Sequence, residues 1–149
     1  MCSSDLFGHG FTYSGHPVAA AVALRALEIY EERDLYGHVR RVAPQFQARL
    51  AALGSHPLVG EARGIGLVGA CEIVQNKSTK ASFESQRAVG AKCMELCQQR
   101  GLIVRAVGDA MVLCPPFIAT PNDIDEIFTL LEKGLDDTLA WARKERLLP

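Results

Sequence analysis

The sequence predicts an α+β fold, in which a small and mostly antiparallel sheet carries helices on one face and is preceded by a long linking helix. Four segments carry helix start or stop signals, and in the second of them apolar residues recur at steps of three and four, which is typical of a helix. Short runs rich in β-forming residues lie between these segments, and a Gly-Asp turn joins the last two runs as a hairpin. A chain of 149 residues is long enough for one modest core of this kind.

Two helices are predicted in the first third of the chain. The first begins at Pro17, with Ser14 as a possible cap, and runs to about Arg33. It is rich in alanine and apolar on most sides, so we expect it to be largely buried. The second begins near Asp34 and carries an amphipathic stripe, with a kink rather than a break at Pro44.

Strands, a hairpin and two further helices complete the prediction. A third helix over about 83–100 separates the first strands from the hairpin, and a last helix opens at Pro121 behind a cap at Thr120 and runs to about Arg146. The predicted strands are 59–63, 67–74, 102–107 and 110–114.

Composition excludes several classes of protein. The formal net charge is −1, from 16 basic and 17 acidic residues, and no basic patch is interleaved with aromatic residues, so no nucleic-acid partner is expected. No apolar run is long enough to span a membrane, and the start of the chain does not resemble a signal peptide. Together with an odd number of irregularly spaced cysteines, these features favour a reducing compartment, with the cytoplasm as the default.

The pair Cys93 and Cys97 is the one candidate for a metal site. Four residues apart on a predicted helix, the two thiols share a face. No histidines or carboxylates of ligand spacing surround them, so we predict reduced thiols on a half-buried face and no metal.

A glycine-rich loop precedes the first helix. Gly8, Gly10 and Gly15 let the backbone come close to a ligand, and Thr12 and Ser14 add hydroxyl groups. Hydroxyls, free N–H groups and a helix N-terminus together suit a phosphate, but most glycine-rich loops are only turns. Both interpretations stay open from the residues alone.

Arg105 is unusual because it lies in the otherwise apolar strand 102–107. Period-two alternation places it on the same face as Ile103 and Val107. Its planar fork matches a carboxylate in bidentate fashion. The alternatives are an edge-strand arginine or a structural ion pair with Asp109 or a glutamate, and the residues alone do not decide between them.

Two stretches resemble class III (omega-transaminase-like) aminotransferases. The stretch 8–17, Gly-His-Gly-Phe-Thr-Tyr-Ser-Gly-His-Pro, looks like the family's phosphate loop, and the alanine-rich helix behind it is also similar. The stretch 101–117, which contains Arg105 and ends in Pro-Pro-Phe, resembles the family's substrate-arginine strand and hairpin. The resemblance covers essentially everything after Leu6, with the two signatures in the family's order and spacing.

This resemblance implies a domain organisation. The family has the fold-type I architecture, uses pyridoxal 5'-phosphate (PLP) and works as homodimers. Residues 7–33 would then be the tail of the PLP-binding large domain, and residues 34–149 the small C-terminal domain. Residues 1–6 fit nothing after them and look like a non-native lead.

The resemblance also implies site residues. Thr12, with the adjacent Phe11, would contact the cofactor phosphate in the partner subunit's active site. Arg105 would be the mobile arginine that binds the substrate carboxylate and swings aside for an uncharged side chain. The reaction would move an amino group from an amine or amino acid to a keto acid such as pyruvate.

The chain departs from the family in what it lacks. The Schiff-base lysine, the aspartate that faces the pyridine nitrogen and the aromatic residue that stacks on the ring all lie upstream of the phosphate loop in the family. We therefore expect no catalytic residue in this C-terminal piece and no activity in isolation. The alternatives are a PLP decarboxylase or aminomutase of the same fold, or a free-standing α+β module that binds a carboxylate. The lysines present match no family motif: Lys77, Lys80, Lys92, Lys133 and Lys144.

Overall fold

The computed structural model describes residues 12–149, which divide into a first unit that ends at Leu35 and a second unit, Tyr36–Pro149. The first unit contains helix α1, Pro17–Glu32, close to the predicted bounds. Within residues 12–149, no helix is both long and apolar enough to cross a membrane.

Helix α1 differs from the prediction in its cap and its burial. His16, and not Ser14, is the N-cap, because Pro17 occupies the first helical position and the Nδ1 atom of His16 accepts the Ala19 N–H at 3.4 Å. The predicted burial is wrong for this chain, since none of the 16 residues is buried and the first unit has no other described element to cover them. The exposed apolar side chains are Val18, Val22, Leu24 and Leu27.

The second unit is a four-stranded antiparallel sheet with three helices, in the order β1-β2-β4-β3, which confirms the predicted α+β architecture. The strands pair in sequence as two hairpins, and β2 and β4 join these hairpins at the centre. Its elements are α2 (Leu35–Ala52), β1 (Val59–Ile65), β2 (Val68–Ile73), α3 (Val89–Gln99), β3 (Arg105–Val107), β4 (Ala110–Leu113) and α4 (Pro121–Lys144). Short 3-10 helices at Leu53–Ser55 and Ser85–Arg87 lie between them.

Two predicted bounds were wrong for identifiable reasons. Helix α3 begins at Val89 instead of about residue 83, because Ala88 adopts a left-handed conformation with φ 49° that no helix accommodates. Strand β3 begins only at Arg105 and not at residue 102. In the register that pairs Arg105 with Val112, residues 102 and 103 lie beyond Leu113, the last residue of β4, and Pro115, which has no N–H group, falls opposite Leu102.

Several predicted boundaries hold. Helix α2 continues through Pro44 without ending. Gly101 ends α3 with φ 88°, a conformation that glycine adopts without strain. Thr120 caps α4, since its hydroxyl accepts the Asp123 N–H at 3.2 Å while the Asp123 carboxylate accepts the Thr120 N–H at 2.8 Å.

The helices pack on one face of the sheet. Alternate residues of β2 and β4, such as Cys71 and Met111, are fully buried on that face, and the residues between them are partly exposed on the other. Helix α2 lies over β2, where a Cβ on Gly69 would be 2.5 Å from the Leu50 Cδ2 atom. The rings of Phe46 and Phe128 meet edge to face at 5.2 Å and join α2 to α4.

Helices α3 and α4 are in close contact at Gly134. Gly134 is buried, and a Cβ placed on it would overlap the sulphur of Cys97, which is itself fully buried. The absence of a side chain at this position therefore sets how near the two helices come, and added volume has nowhere to go.

We predict that Gly134→Ala destabilises the second unit. Overpacking costs about 1–3 kcal/mol, which outweighs the roughly 1 kcal/mol that alanine gains over glycine in a helix. Urea unfolding should therefore shift to lower denaturant. The exposed Lys133→Ala change is the matched control, and adding Cys97→Ala, which removes the sulphur, should recover part of the loss. A Gly134→Ala variant more stable than the parent would contradict this packing.

Candidate substrate-binding groove

Arg105 lies at the start of the edge strand β3, opposite Val112 of β4. Its side chain is on the sheet face away from the core, together with the exposed Val107, as the alternation of strand residues predicts. Ile103, just before the strand, is 91% exposed, whereas Leu102 and Val104 turn inward and are buried. The predicted face of Arg105 is therefore confirmed, and it is the outer one.

A groove of about 500 Å³ opens beside Arg105. Among the described residues of its lining, Arg105 carries the only charge, and the remaining side chains are apolar apart from the exposed thiol of Cys114. The sequence did not predict that Ile127 belongs to this lining, because only the tertiary packing of α4 brings it there. The lining consists of residues 102–105, residues 112–116 and Ile127.

The guanidinium of Arg105 has no ion pair or hydrogen bond within the described part of the chain. The alternative of a structural pair with Asp109 is wrong, because the Asp109 carboxylate accepts the Gly90 N–H at 2.7 Å instead. Arg105 does lie on an edge strand, as the other alternative predicted. A free, planar cation beside apolar walls is suited to a carboxylate from outside the chain.

The acidic residues on the same sheet face already have basic partners. Arg63 donates to Glu72 at 3.1 Å and to Glu61 at 3.3 Å, and the hydrogen bond to Glu72 is the main cause that raises the pKa of Arg63. Lys80 adds an ion pair with Glu61 at 3.6 Å. Glu61 and Glu72 are thus neutralised by Arg63 and Lys80 and do not pair with Arg105. The guanidinium of Arg105 can therefore bind an anion from outside the chain.

The phosphate-loop residues fall partly outside the described residues. Phe11 does so, as do the first two loop glycines. Thr12 is exposed in a turn that ends at Gly15, where φ is 73°, and its hydroxyl has no hydrogen bond to any described residue. The hydroxyl is thus available to a ligand, directly ahead of the N-terminus of α1.

None of the five lysines lines the groove. The ammonium group of Lys77 donates to the carbonyl oxygens of Gly54 and His56 at 2.6 and 2.9 Å, and Lys92 pairs with Glu95 at 2.9 Å. The remaining three are exposed on the surface. Their positions agree with the sequence, in which no lysine lies in a motif that would give it a covalent role.

Cys93 and Cys97 are fully buried, and not half-buried as predicted. Their thiols are hydrogen-bonded to each other, and this contact together with burial raises the pKa of Cys97. Burial also raises the pKa of the neighbouring Cys71 to about 12. Within residues 12–149 no three metal-ligating side chains cluster. Cys93 and Cys97 are free thiols of the core.

Known proteins are similar to this chain in sequence and in fold. Putrescine–pyruvate aminotransferase of Pseudomonas aeruginosa is 52% identical over 135 residues, which are 90% of this chain and 29% of that protein. The crystal structure of an omega-transferase from Vibrio fluvialis JS17 matches with a TM-score of 0.85 at 43% identity, over 94% of this chain and 33% of that one. A PLP-bound mutant aminotransferase from Vibrio fluvialis matches with a TM-score of 0.83 at 43% identity, over 91% and 30%.

The chain thus spans about three tenths of the length of these relatives. The family model for class III aminotransferases matches residues 1–135, which include both the loop of Thr12 and the strand of Arg105. On this match and on the shared fold, the chain belongs to the class III aminotransferase family.

Proposed function

We propose that this chain is the C-terminal part of an aminotransferase that moves an amino group from an amine or amino acid to a keto acid such as pyruvate. The observation that carries the proposal is the unpaired guanidinium of Arg105 at an apolar groove. The similarity to a relative named putrescine–pyruvate aminotransferase supports transamination over a same-fold decarboxylase or aminomutase.

In this proposal Arg105 binds the carboxylate that keto acids and amino acids share. Two parallel N–H groups of the guanidinium donate to the two carboxylate oxygens, which fixes the orientation of the substrate as well as its charge. The apolar walls of the groove lie beside this contact and lower the polarity on that side of it. A donor without a carboxylate requires the side chain to swing aside, which is possible because no described residue holds it.

Thr12 is proposed to hold the phosphate of PLP in the active site of a second subunit. Its free hydroxyl and the following helix N-terminus fit a dianionic phosphate. Phe11 is proposed to contact the same group, although it lies outside the described residues. When bound, PLP supplies the electron sink for the reaction, and the chain's own part is to retain the phosphate and orient the substrate.

The proposal includes the organisation of the whole protein. Residues 7–33 belong to the tail of the large domain and residues 34–149 to the small domain, in line with the separate unit that begins at Tyr36. The protein is a homodimer, since the phosphate contact of Thr12 is made across subunits. The cytoplasm is the proposed location, supported by core cysteines that remain free thiols.

We predict that the chain by itself has no transaminase activity. It should also not form a covalent adduct with one PLP per chain. The physical reason is that none of its lysines lies in the groove or in a site for the cofactor ring. The checks are alanine formation from an amine and pyruvate, and the intact mass after borohydride reduction with PLP. A single saturable adduct of one PLP per chain would contradict the prediction.

We predict that Thr12→Ala weakens retention of PLP more than it slows the reaction. The protein for this test is a completed enzyme, in which this chain from Phe7 onward is joined to the upstream residues of the Pseudomonas aeruginosa relative. A hydrogen bond to a charged group contributes about 1.5–3 kcal/mol, so the Kd for PLP should rise about tenfold to a hundredfold. Thr12→Ser, which keeps the hydroxyl, is the matched control. Equal Kd values for all three proteins would refute the phosphate contact.

We predict that Arg105→Ala in the same completed enzyme impairs carboxylate donors selectively. Loss of a charged bidentate contact should lower the second-order rate constant of the half-reaction with L-alanine by about one to two decades. The same rate constant for a phenylalkyl amine should change little. Single-turnover half-reactions measure both donors. Arg105→Lys keeps the charge but not the fork and should fall between parent and Arg105→Ala. Equal losses for both donors would assign Arg105 a purely structural role.

A further inference from the structure

Asp109 joins three elements of the second unit. It follows Gly108 in the β3–β4 turn, and its Oδ1 atom accepts the Gly90 N–H at 2.7 Å in the first turn of α3. Its main-chain oxygen accepts the Ile73 N–H at 2.9 Å at the end of β2. One turn residue therefore fastens the β3–β4 hairpin both to a helix and to the neighbouring strand.

The helix needs this contact. The first N–H groups of an α-helix have no partner within the helix, and a side chain at the N-cap normally accepts one of them. The N-cap of α3 is Ala88, which makes no such bond. The Asp109 carboxylate supplies the missing acceptor from another element, and its negative charge also suits the positive end of the helix dipole.

The backbones at this junction are in close contact. Gly90 is buried, and a Cβ placed on it would overlap the Gly108 carbonyl oxygen and lie 2.8 Å from the Asp109 Cα atom. Gly108 itself has φ 59°, a conformation that other side chains rarely adopt. The β3–β4 turn thus packs directly against the first turn of α3, and this close contact fixes its position relative to the helix.

The position of Arg105 depends on this turn. Strand β3 has only three residues, and β4 is its only strand partner among residues 12–149. The guanidinium has no partner of its own to fix it. The main chain that carries Arg105 is therefore located on its N-terminal side by the buried Leu102 and Val104, along its length by β4, and on its C-terminal side by the turn at Asp109, four residues along the chain.

We propose that Asp109 is a positioning residue for substrate binding: through its bond to Gly90 it holds the β3–β4 hairpin so that Arg105 faces the carboxylate of the substrate. This inference rests on the proposed function of Arg105. Asp109 makes no ion pair or hydrogen bond with Arg105 and acts through the backbone of the hairpin.

The first test measures, in this chain alone, how strongly Asp109 stabilises the β3–β4 hairpin. In Asp109→Ala, amide hydrogen exchange in β3, the turn and β4 should accelerate by about tenfold or more, because the carboxylate that accepts the Gly90 N–H is lost. Amides of the β1–β2 hairpin should keep their parental exchange rates. Asp109→Asn retains an Oδ1 acceptor and should stay within about threefold of the parent. Where Asp109→Ala does not fold, Asp109→Ser, whose hydroxyl is one atom too short, replaces it. Unchanged exchange, or equal acceleration in both hairpins, overturns the proposal.

The second test measures the effect on the substrate in the completed enzyme. Asp109→Ala should raise KM for L-alanine about tenfold, by loss of a charged contact, with little change for a phenylalkyl amine, and Asp109→Asn should restore KM. In the double variant with Arg105→Ala, removal of Asp109 should add no further loss for L-alanine, because both act through one contact. Additive losses would overturn the proposal.

The two hypotheses fail in different ways. If Arg105→Ala is selective for carboxylate donors and Asp109→Ala is not, Arg105 keeps its proposed function and only the inference about Asp109 is overturned. If Arg105→Ala is itself unselective, the proposed function of Arg105 fails, and the inference that rests on it fails as well, whatever the exchange rates show about the turn.

Discussion

The alternation of side chains along a strand decides where the chemistry of this chain lies. Met111 and Leu113 face the core and are almost wholly buried, so the residue between them, Val112, faces outward. Arg105 pairs with Val112 in the register of the sheet and is therefore directed to the outer face. A guanidinium on the inner face would be desolvated among apolar residues without a partner, a severe penalty that this register avoids.

Glycine residues determine how the rest of the unit is built around that register. At Gly69, Gly90 and Gly134 an added Cβ would overlap or crowd a neighbouring helix, turn or side chain. The helices, the strand β2 and the β3–β4 turn can come this close only because those positions have no side chain, and the helices cover the central strands on one face of the sheet. At the β3 edge of the sheet an apolar groove remains beside one unpaired cation, an arrangement that suits a carboxylate ligand.

Much of this architecture could be predicted from local signals. Helix start and stop signals together with periodicity predicted the four helices, the Gly108-Asp109 turn predicted the second hairpin, and alternation predicted the face of Arg105. The start of α3 could not be predicted, because Ala88 in a left-handed conformation has no sequence signature. The contact of Asp109 with Gly90 spans 19 residues and depends on tertiary packing, which is why an ion pair with the nearby Arg105 remained a plausible alternative. The apolar composition of α1 indicates burial, but nothing in a composition says which chain segment provides the cover.

The central claim is that Arg105 receives the carboxylate of the substrate. A crystal structure of the completed enzyme with PLP and a carboxylate-bearing substrate analogue tests it most directly. The account predicts both terminal N–H groups of the Arg105 guanidinium at about 2.7–2.9 Å from the two carboxylate oxygens, with Asp109 still bonded to the Gly90 N–H. A carboxylate bound by another cation, with the Arg105 side chain directed to solvent, would contradict it.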